Sequence, residues 1–270
     1  MAAPPRSYLD VGGTTTTTTL RAYDDYRAMP GSRDDDDDED DKGFVNKAAF
    51  RAQTDQLVEL YGLPEWRRDE VQAMEPHGGG HDGRVYRLFK DHRKYAVKRF
   101  RDGISLQLID FHRALQRCTA DGFFEVHSQR PDGPSAMVPL DKDALAVVRR
   151  AVVPVAWIHY KGQRCLVYEW IEHDADPQRR LSEADVRSLR AQVDLCHALG
   201  FCHLDITARN VLVRPEKDGG AVLIDYDCVT RVGTVPLCGT PPESSARVKN
   251  RDTVRLDDDE HLWTRLLQGM

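Results

Sequence analysis

His203-Leu204-Asp205-Ile206-Thr207-Ala208-Arg209-Asn210-Val211-Leu212-Val213, with Leu223-Ile224-Asp225-Tyr226-Asp227 after it, decides the reading of this 270-residue chain. An acid and an amide stand five residues apart, between a helical pattern and a short apolar strand. A second acid closes the next strand, twenty residues after the first. Isolated loop aspartates usually cap helices or form turns. This order of groups suits another task. Phosphoryl transfer needs a carboxylate near an attacking hydroxyl and oxygen ligands for Mg²⁺.

Working back along the chain, Gly78-Gly79-Gly80-His81-Asp82-Gly83-Arg84-Val85 fits G-x-G-x-x-G-x-V. A flexible turn would explain the glycines equally well. Their specific use is to let backbone N–H groups approach phosphate oxygens without a Cβ in the way. A dinucleotide fold would need a helix directly afterwards. Strand-forming residues follow instead, so a hairpin flap fits better. Thirteen residues after Val85 comes Lys98, in Tyr95-Ala96-Val97-Lys98. Behind such a flap its ammonium would reach the phosphates of a nucleotide.

The surrounding pattern predicts mixed elements. Phe44, Ala48, Ala49, Leu57, Leu60 and Tyr61 suit an amphipathic helix ended by Gly62 and Pro64. Val85–Leu88 and Lys94–Phe100 read as a strand pair, and residues 104–116 have helical spacing. Val153–Tyr160 and Gln163–Ile171 read as two further strands joined at Lys161-Gly162. A helix over 182–199 has Ser182 as N-cap, Asp185 at its third position and Gly200 as stop. Val211–Val213 and Val222–Ile224 form a last hairpin across Lys217-Asp218-Gly219-Gly220. The expected class is α+β, in two unequal lobes.

Residues 1–43 are expected to be a disordered tail. They carry Thr14–Thr19 and the acidic run Asp34–Asp41, and have too little apolar content to offset ordering. Removing the eight acids of that run moves the formal charge from −6 to +2. The remainder gives no case for nucleic-acid or membrane-surface binding. Apolar runs such as Ala144–Val148 are far too short to span a bilayer. No apolar stretch follows Met1–Arg6, so the expectation is an intracellular protein whose six cysteines are reduced thiols.

Taken together, these motifs resemble the eukaryotic protein kinase superfamily, over residues from about 70 to 262. The resemblance implies a two-lobed kinase-like domain over 44–270. Its β-rich N-lobe would span about 66–168, and a shortened, mainly helical C-lobe about 172–270. It implies ATP and Mg²⁺ as cofactors. Gly78, Gly80 and Gly83 would cover the phosphates and Lys98 would hold them. Val85, Ala96 and Leu212 would sandwich adenine. Tyr168 would be the gatekeeper, with backbone groups of Glu169 and Ile171 facing the base. Asp205 would be the catalytic aspartate, Arg209 a catalytic cation, and Asn210 and Asp225 the metal ligands. Asp258 would anchor the catalytic loop from a later helix.

The chain also departs from that pattern. No glutamate lies between Lys98 and Phe124, which leaves Asp110 as the substitute partner for the lysine. Leu204 stands where the family has arginine, Thr207 where serine/threonine kinases have lysine, and Asp227 where glycine is usual. Gly239-Thr240-Pro241-Pro242-Glu243 resembles the end of an activation segment. Only 45 residues follow Asp225. Three functions follow in order: a protein kinase acting on a protein hydroxyl, a small-molecule kinase of aminoglycoside or choline kinase type, and a nucleotide-binding pseudokinase.

Overall fold

The computed structural model describes residues 47–80, 83–100, 103–126, 135–174, 180–215, 220–236 and 244–268. The tail over 1–43, the helix start at Phe44, the 217–219 turn and the 239–243 segment lie outside the described residues.

Helix α1 (Lys47–Tyr61) leads into strands β1 (Ala73–Gly80), β2 (Gly83–Lys90) and β3 (Arg93–Phe100). Helix α2 (Leu106–Gln116), strands β4 (Phe123–Val126) and β5 (Ala136–Pro139), and helix α3 (Lys142–Val152) follow. Then come β6 (Ala156–Tyr160), β7 (Gln163–Glu169) and helix α4 (Glu183–Ala198). The last part holds β8 (Phe201–Cys202), β9 (Val211–Val213), β10 (Ala221–Leu223), β11 (Thr230–Arg231), α5 (Ala246–Lys249) and α6 (Leu256–Gln268). The class is α+β. Among the described residues, one five-stranded antiparallel sheet runs in the order β1-β2-β3-β7-β6, and three two-stranded pairs accompany it.

Strand alternation gives the large sheet two different faces. Tyr86, Leu88, Val97 and Val167 point to one side and pack with Val71, Ile158 and Cys165. Register partners Val85↔Lys98, Lys98↔Leu166 and Ala96↔Tyr168 share the other side. There Leu166 joins the main core with Phe100, Trp157, Phe111 and Tyr226. A polar lysine therefore sits on the inward face of the sheet, at the margin of the core.

Two helices behave as their sequence predicts. Ser182 and Asp185 form a reciprocal capping box on α4, and Gly200 leaves it at φ +83°. Ser105 caps α2 by accepting from the Leu108 N–H. Helix α3 is an element beyond the sequence expectation; Asp141 caps it and Ala144, Leu145, Val148 and Val152 form its buried stripe. It also shortens the expected strand at 153. Val153 is the C-cap of α3, Pro154 has no N–H for a ladder, and β6 starts only at Ala156. Among the described residues, no helix is long and apolar enough to cross a membrane.

Candidate active site

The loop after β8 is fixed from three sides. His203, Asp205 and Asn210 are buried, at 0%, 7% and 4% exposure. Asp259 of α6 accepts from the His203 N–H at 2.7 Å and the Leu204 N–H at 2.8 Å. Leu204 needs this hold because it sits in the left-handed region at φ +61°, which costs a side-chain-bearing residue about 1–3 kcal/mol. Its side chain is buried against Cys202, Cys228, Val248 and Val254. A leucine is therefore the residue that fits here, since a buried guanidinium would have to find partners in that apolar cluster. His203 Nδ1 accepts from the Asp205 N–H at 3.2 Å, and burial keeps its imidazole pKa below the ordinary value. Asp259 also meets His197 Nε2 at 3.0 Å. These two and Cys202 form a tight His–Cys–Asp group. Asp259 already accepts two backbone amides and Cys202 Sγ contacts the Arg255 carbonyl at 3.3 Å, so the group reads as a structural anchor.

Asn210 and Asp225 come together through the β9–β10 hairpin. Val211 pairs with Leu223, and the Ile224 N–H donates to the Asn210 carbonyl at 2.8 Å. Helix α4 clips this hairpin from behind. Gln192 accepts from the Leu223 N–H, while Gln192 and Ser188 both donate to the Ala221 carbonyl. Asn210 Nδ2 donates to the Asp205 carbonyl at 3.0 Å, which turns Oδ1 the other way. Asp225 occupies the left-handed region at φ +64°, a second strained residue at this site. Arg209 donates to Asp205 Oδ1 at 3.1 Å, although its own side chain is 58% exposed.

Lys98 crosses to this hairpin from the sheet. Its Nζ lies 2.6 Å from Asp225 Oδ1 and 2.7 Å from Asp227 Oδ2. The second contact is a charge pair lying off the ideal hydrogen-bond direction. Burial would lower the Lys98 pKa, but the two carboxylates outweigh it and hold the ammonium protonated. Burial likewise opposes ionisation of Asp225. Lys98 overcomes that, with His203 and Arg209 adding to it, and the Asp225 pKa is lowered. Three carboxylates (Asp205, Asp225, Asp227) against two cations (Lys98, Arg209) leave one formal negative charge. Such a site, with an amide oxygen beside it, suits a hard divalent cation.

The glycine cluster forms the tip of the β1–β2 hairpin, where Gly78 pairs with Val85, Gly79 with Arg84 and Gly80 with Gly83. Gly83 has a structural reason of its own, because a Cβ there would stand 2.4 Å from the Arg99 carbonyl oxygen. The register slips between Pro76 and Gly78, and His77 at that bulge makes an edge contact with Trp170 at 4.8 Å. Glu169 ends β7 opposite Tyr95, and its side chain pairs with Arg150. The Ile171 carbonyl meets His173 Nδ1 at 3.0 Å. Tyr168 is half-buried beside Lys98, and desolvation raises its phenol pKa. Leu212 lies between Val211 and Val213 on β9, and those neighbours pack against α4 and α6 residues, so Leu212 faces the opposite way.

Two expected partners change places. Asp110 pairs with Arg113 at 3.0 Å and is 39% exposed, whereas the described ion-pair partners of Lys98 are Asp225 and Asp227. The loop anchor is Asp259 rather than Asp258. Helix α6 begins at Leu256, so Asp258 at its third position reaches back to the Arg255 N–H and to Ser245. One residue on, Asp259 faces the loop. Three consecutive aspartates gave spacing no means to choose between them. A stack also escaped the sequence reading: Phe111 lies 5.5 Å from Tyr226 at 16°, and Tyr226 lies 4.5 Å from His203.

No known family profile matches the chain. Two curated proteins share part of it. A 3-deoxy-D-manno-octulosonic acid kinase of Pasteurella multocida is 33% identical over 109 residues, 37% of this chain and 45% of that protein. A probable bifunctional tRNA threonylcarbamoyladenosine biosynthesis protein of Natronomonas pharaonis is 43% identical over 61 residues, 23% of this chain and 11% of that protein. The matched stretch thus spans less than half the length of either relative.

Proposed function

We propose that this chain is a Mg²⁺-dependent phosphotransferase that moves the γ-phosphate of ATP to a hydroxyl group. The observation that carries this reading is the meeting of Lys98 with Asp225 beside the Asp205–Asn210 hydrogen bond. The reading takes 44–270 as a two-lobed, kinase-like domain, with residues 66–168 as the sheet-bearing lobe and 172–270 as the helical lobe. The 1–43 tail is taken to be dispensable for folding, and no nucleic-acid or membrane partner is included.

The residues fit the groups they would hold. Asp225 and Asn210 Oδ1 offer hard oxygen ligands to Mg²⁺, which would neutralise charge between the phosphates. Lys98 would hold the α- and β-phosphates under the Gly78–Gly83 hairpin. Val85, Ala96 and Leu212 would line the adenine site, with the backbone at Glu169 and Ile171 at its edge. Asp205 would orient the acceptor hydroxyl and accept its proton late, because the transition state is loose and demands little early basicity. Arg209, already beside Asp205, would face the charge developing on the transferred group.

For the acceptor, the reading is a small sugar-like hydroxyl compound. The support is the similarity to a protein named as a 3-deoxy-D-manno-octulosonic acid kinase, together with a second acid at Asp227. A protein hydroxyl is the second reading, favoured by the regular glycine hairpin. Radiolabelled Mg-ATP offered to sugar acids, aminoglycosides and mixed proteins tests both. Transfer to a sugar acid that Asp225→Asn abolishes is the expected result. Transfer to protein alone would favour the second reading. Nucleotide binding with no transfer to any acceptor would leave a pseudokinase.

A further inference from the structure

The lysine at the centre of the site has a partner that neither the helix pattern nor the resemblance predicted. Lys98 Nζ meets Asp227 Oδ2 at 2.7 Å, and the side chains are 16% and 15% exposed. Asp225, the other partner, is more open at 37%. Helix α2 offers nothing comparable toward Lys98. Its buried members include Phe111 and His112, and Asp110 turns outward to Arg113.

Asp227 is also held rigidly. It lies in a 3-10 turn over Tyr226–Cys228, closed by the Val229 N–H donating to the Tyr226 carbonyl at 3.0 Å. Tyr226 on one side is stacked against Phe111 and contacts His203. Cys228 on the other side is buried in the cluster around Leu204. The backbone that carries the carboxylate is thereby fixed on both sides.

We propose that Asp227 is the positioning residue for Lys98, replacing a carboxylate that helix α2 does not supply. This rests on the phosphotransferase reading above. Lys98 faces two acids, and only one of them is needed to locate it. Asp225 would share its charge with a divalent cation held there, and Asp227 would then keep the ammonium at the phosphates. The device places the lysine's partner and the metal ligand within one turn of chain, so site assembly does not depend on a swing of α2.

The test uses the full chain and the variants Asp227→Asn, Asp227→Glu and Asp110→Asn. ADP binding is measured calorimetrically in EDTA, and with Mg²⁺ titrated in. ATP turnover gives kcat and KM, and thermal melts of the free proteins check folding. A misplaced Lys98 would forfeit its charge-assisted hydrogen bond to the phosphates, which corresponds to roughly ten- to hundredfold weaker binding. Asp227→Asn is therefore expected to weaken metal-free ADP binding and raise KM for ATP by that order, with the Mg²⁺ half-saturation unchanged. Asp227→Glu should recover part of the affinity, and Asp110→Asn should match the wild type. Unchanged ADP affinity in Asp227→Asn would overturn the proposal. So would a shift confined to the Mg²⁺ half-saturation, which would make Asp227 a second metal ligand, or an equal loss in Asp110→Asn. If the wild type itself binds no nucleotide, the phosphotransferase reading fails first and takes this one with it.

Discussion

The loop at 203–210 and the lysine site at 98 face each other but are stabilised in opposite ways. The loop backbone is tied down by hydrogen bonds: Asp259 takes two backbone amides, His203 a third, and Asn210 is tied to the Asp205 carbonyl. At the lysine site, one buried cation faces two carboxylates drawn from a single turn. The first region is a finished scaffold that holds its shape without a ligand. The second is a charge cluster whose partners can be redistributed when a cation and phosphates arrive. Paired charges are costly to bury and seldom gain net stability, so such a cluster is more readily explained by binding than by folding.

Breaking the scaffold should cost most. Asp259→Ala orphans two buried amides at about 1–3 kcal/mol each, so its melting temperature should fall far more than that of Asp258→Ala. The neighbour accepts from the Arg255 N–H, which is on an exposed residue that water can reach, and from the Ser245 hydroxyl, so its loss orphans fewer buried backbone groups. Equal losses in the two melts would remove Asp259 from the anchor role.

Lys98→Met should destabilise the free protein less than Asp259→Ala while abolishing turnover. Removing one member of a buried pair costs up to about 3–5 kcal/mol, and the 37% exposure of Asp225 lets water offset part of that here. A melt unchanged from the wild type would mean that the two carboxylates do not depend on the ammonium.

A smaller, pH-dependent effect comes from behind α2. His112 is 1% exposed and shares a 3.0 Å hydrogen bond with the Tyr61 hydroxyl of α1. Burial lowers its pKa to about 3, whereas an unfolded histidine titrates near 6.5. The unfolded chain therefore binds a proton that the fold refuses. No stability is lost to this group well above pH 6.5; the loss grows as pH falls towards 3, and it amounts to about 2 kcal/mol at pH 5. His112→Gln should flatten that part of the stability curve relative to wild type, as read from urea midpoints between pH 7 and 5. The mildest change expected is Arg209→Ala, a modest fall in kcat with KM for ATP unchanged, because its guanidinium is mostly solvated.

The two regions were also unequally legible in the sequence. Residues 203–213 and 223–227 carry their chemistry in local spacing, and the β9–β10 hairpin and the α4 cap follow from short-range rules. The partner of Lys98 is 127 and 129 residues away, at Asp225 and Asp227. It depends on how the sheet sits over the hairpin, whereas sequence spacing along α2 points to Asp110. Asp258 and Asp259 differ only in the rotational phase of α6, which the start of the helix sets and composition does not. Helix α3 was hidden because its stripe lies in a short apolar run between proline-containing segments.

The most direct test is ADP and ATP binding by calorimetry, with and without Mg²⁺, for the wild type and Asp225→Asn. A phosphotransfer site built on Lys98, Asn210 and Asp225 predicts that Mg²⁺ tightens ATP binding to the wild type, and that the variant keeps metal-free binding but loses the Mg²⁺ enhancement. Binding to Asp225→Asn that Mg²⁺ enhances as strongly as in the wild type, or no nucleotide binding by the wild type at all, would contradict it.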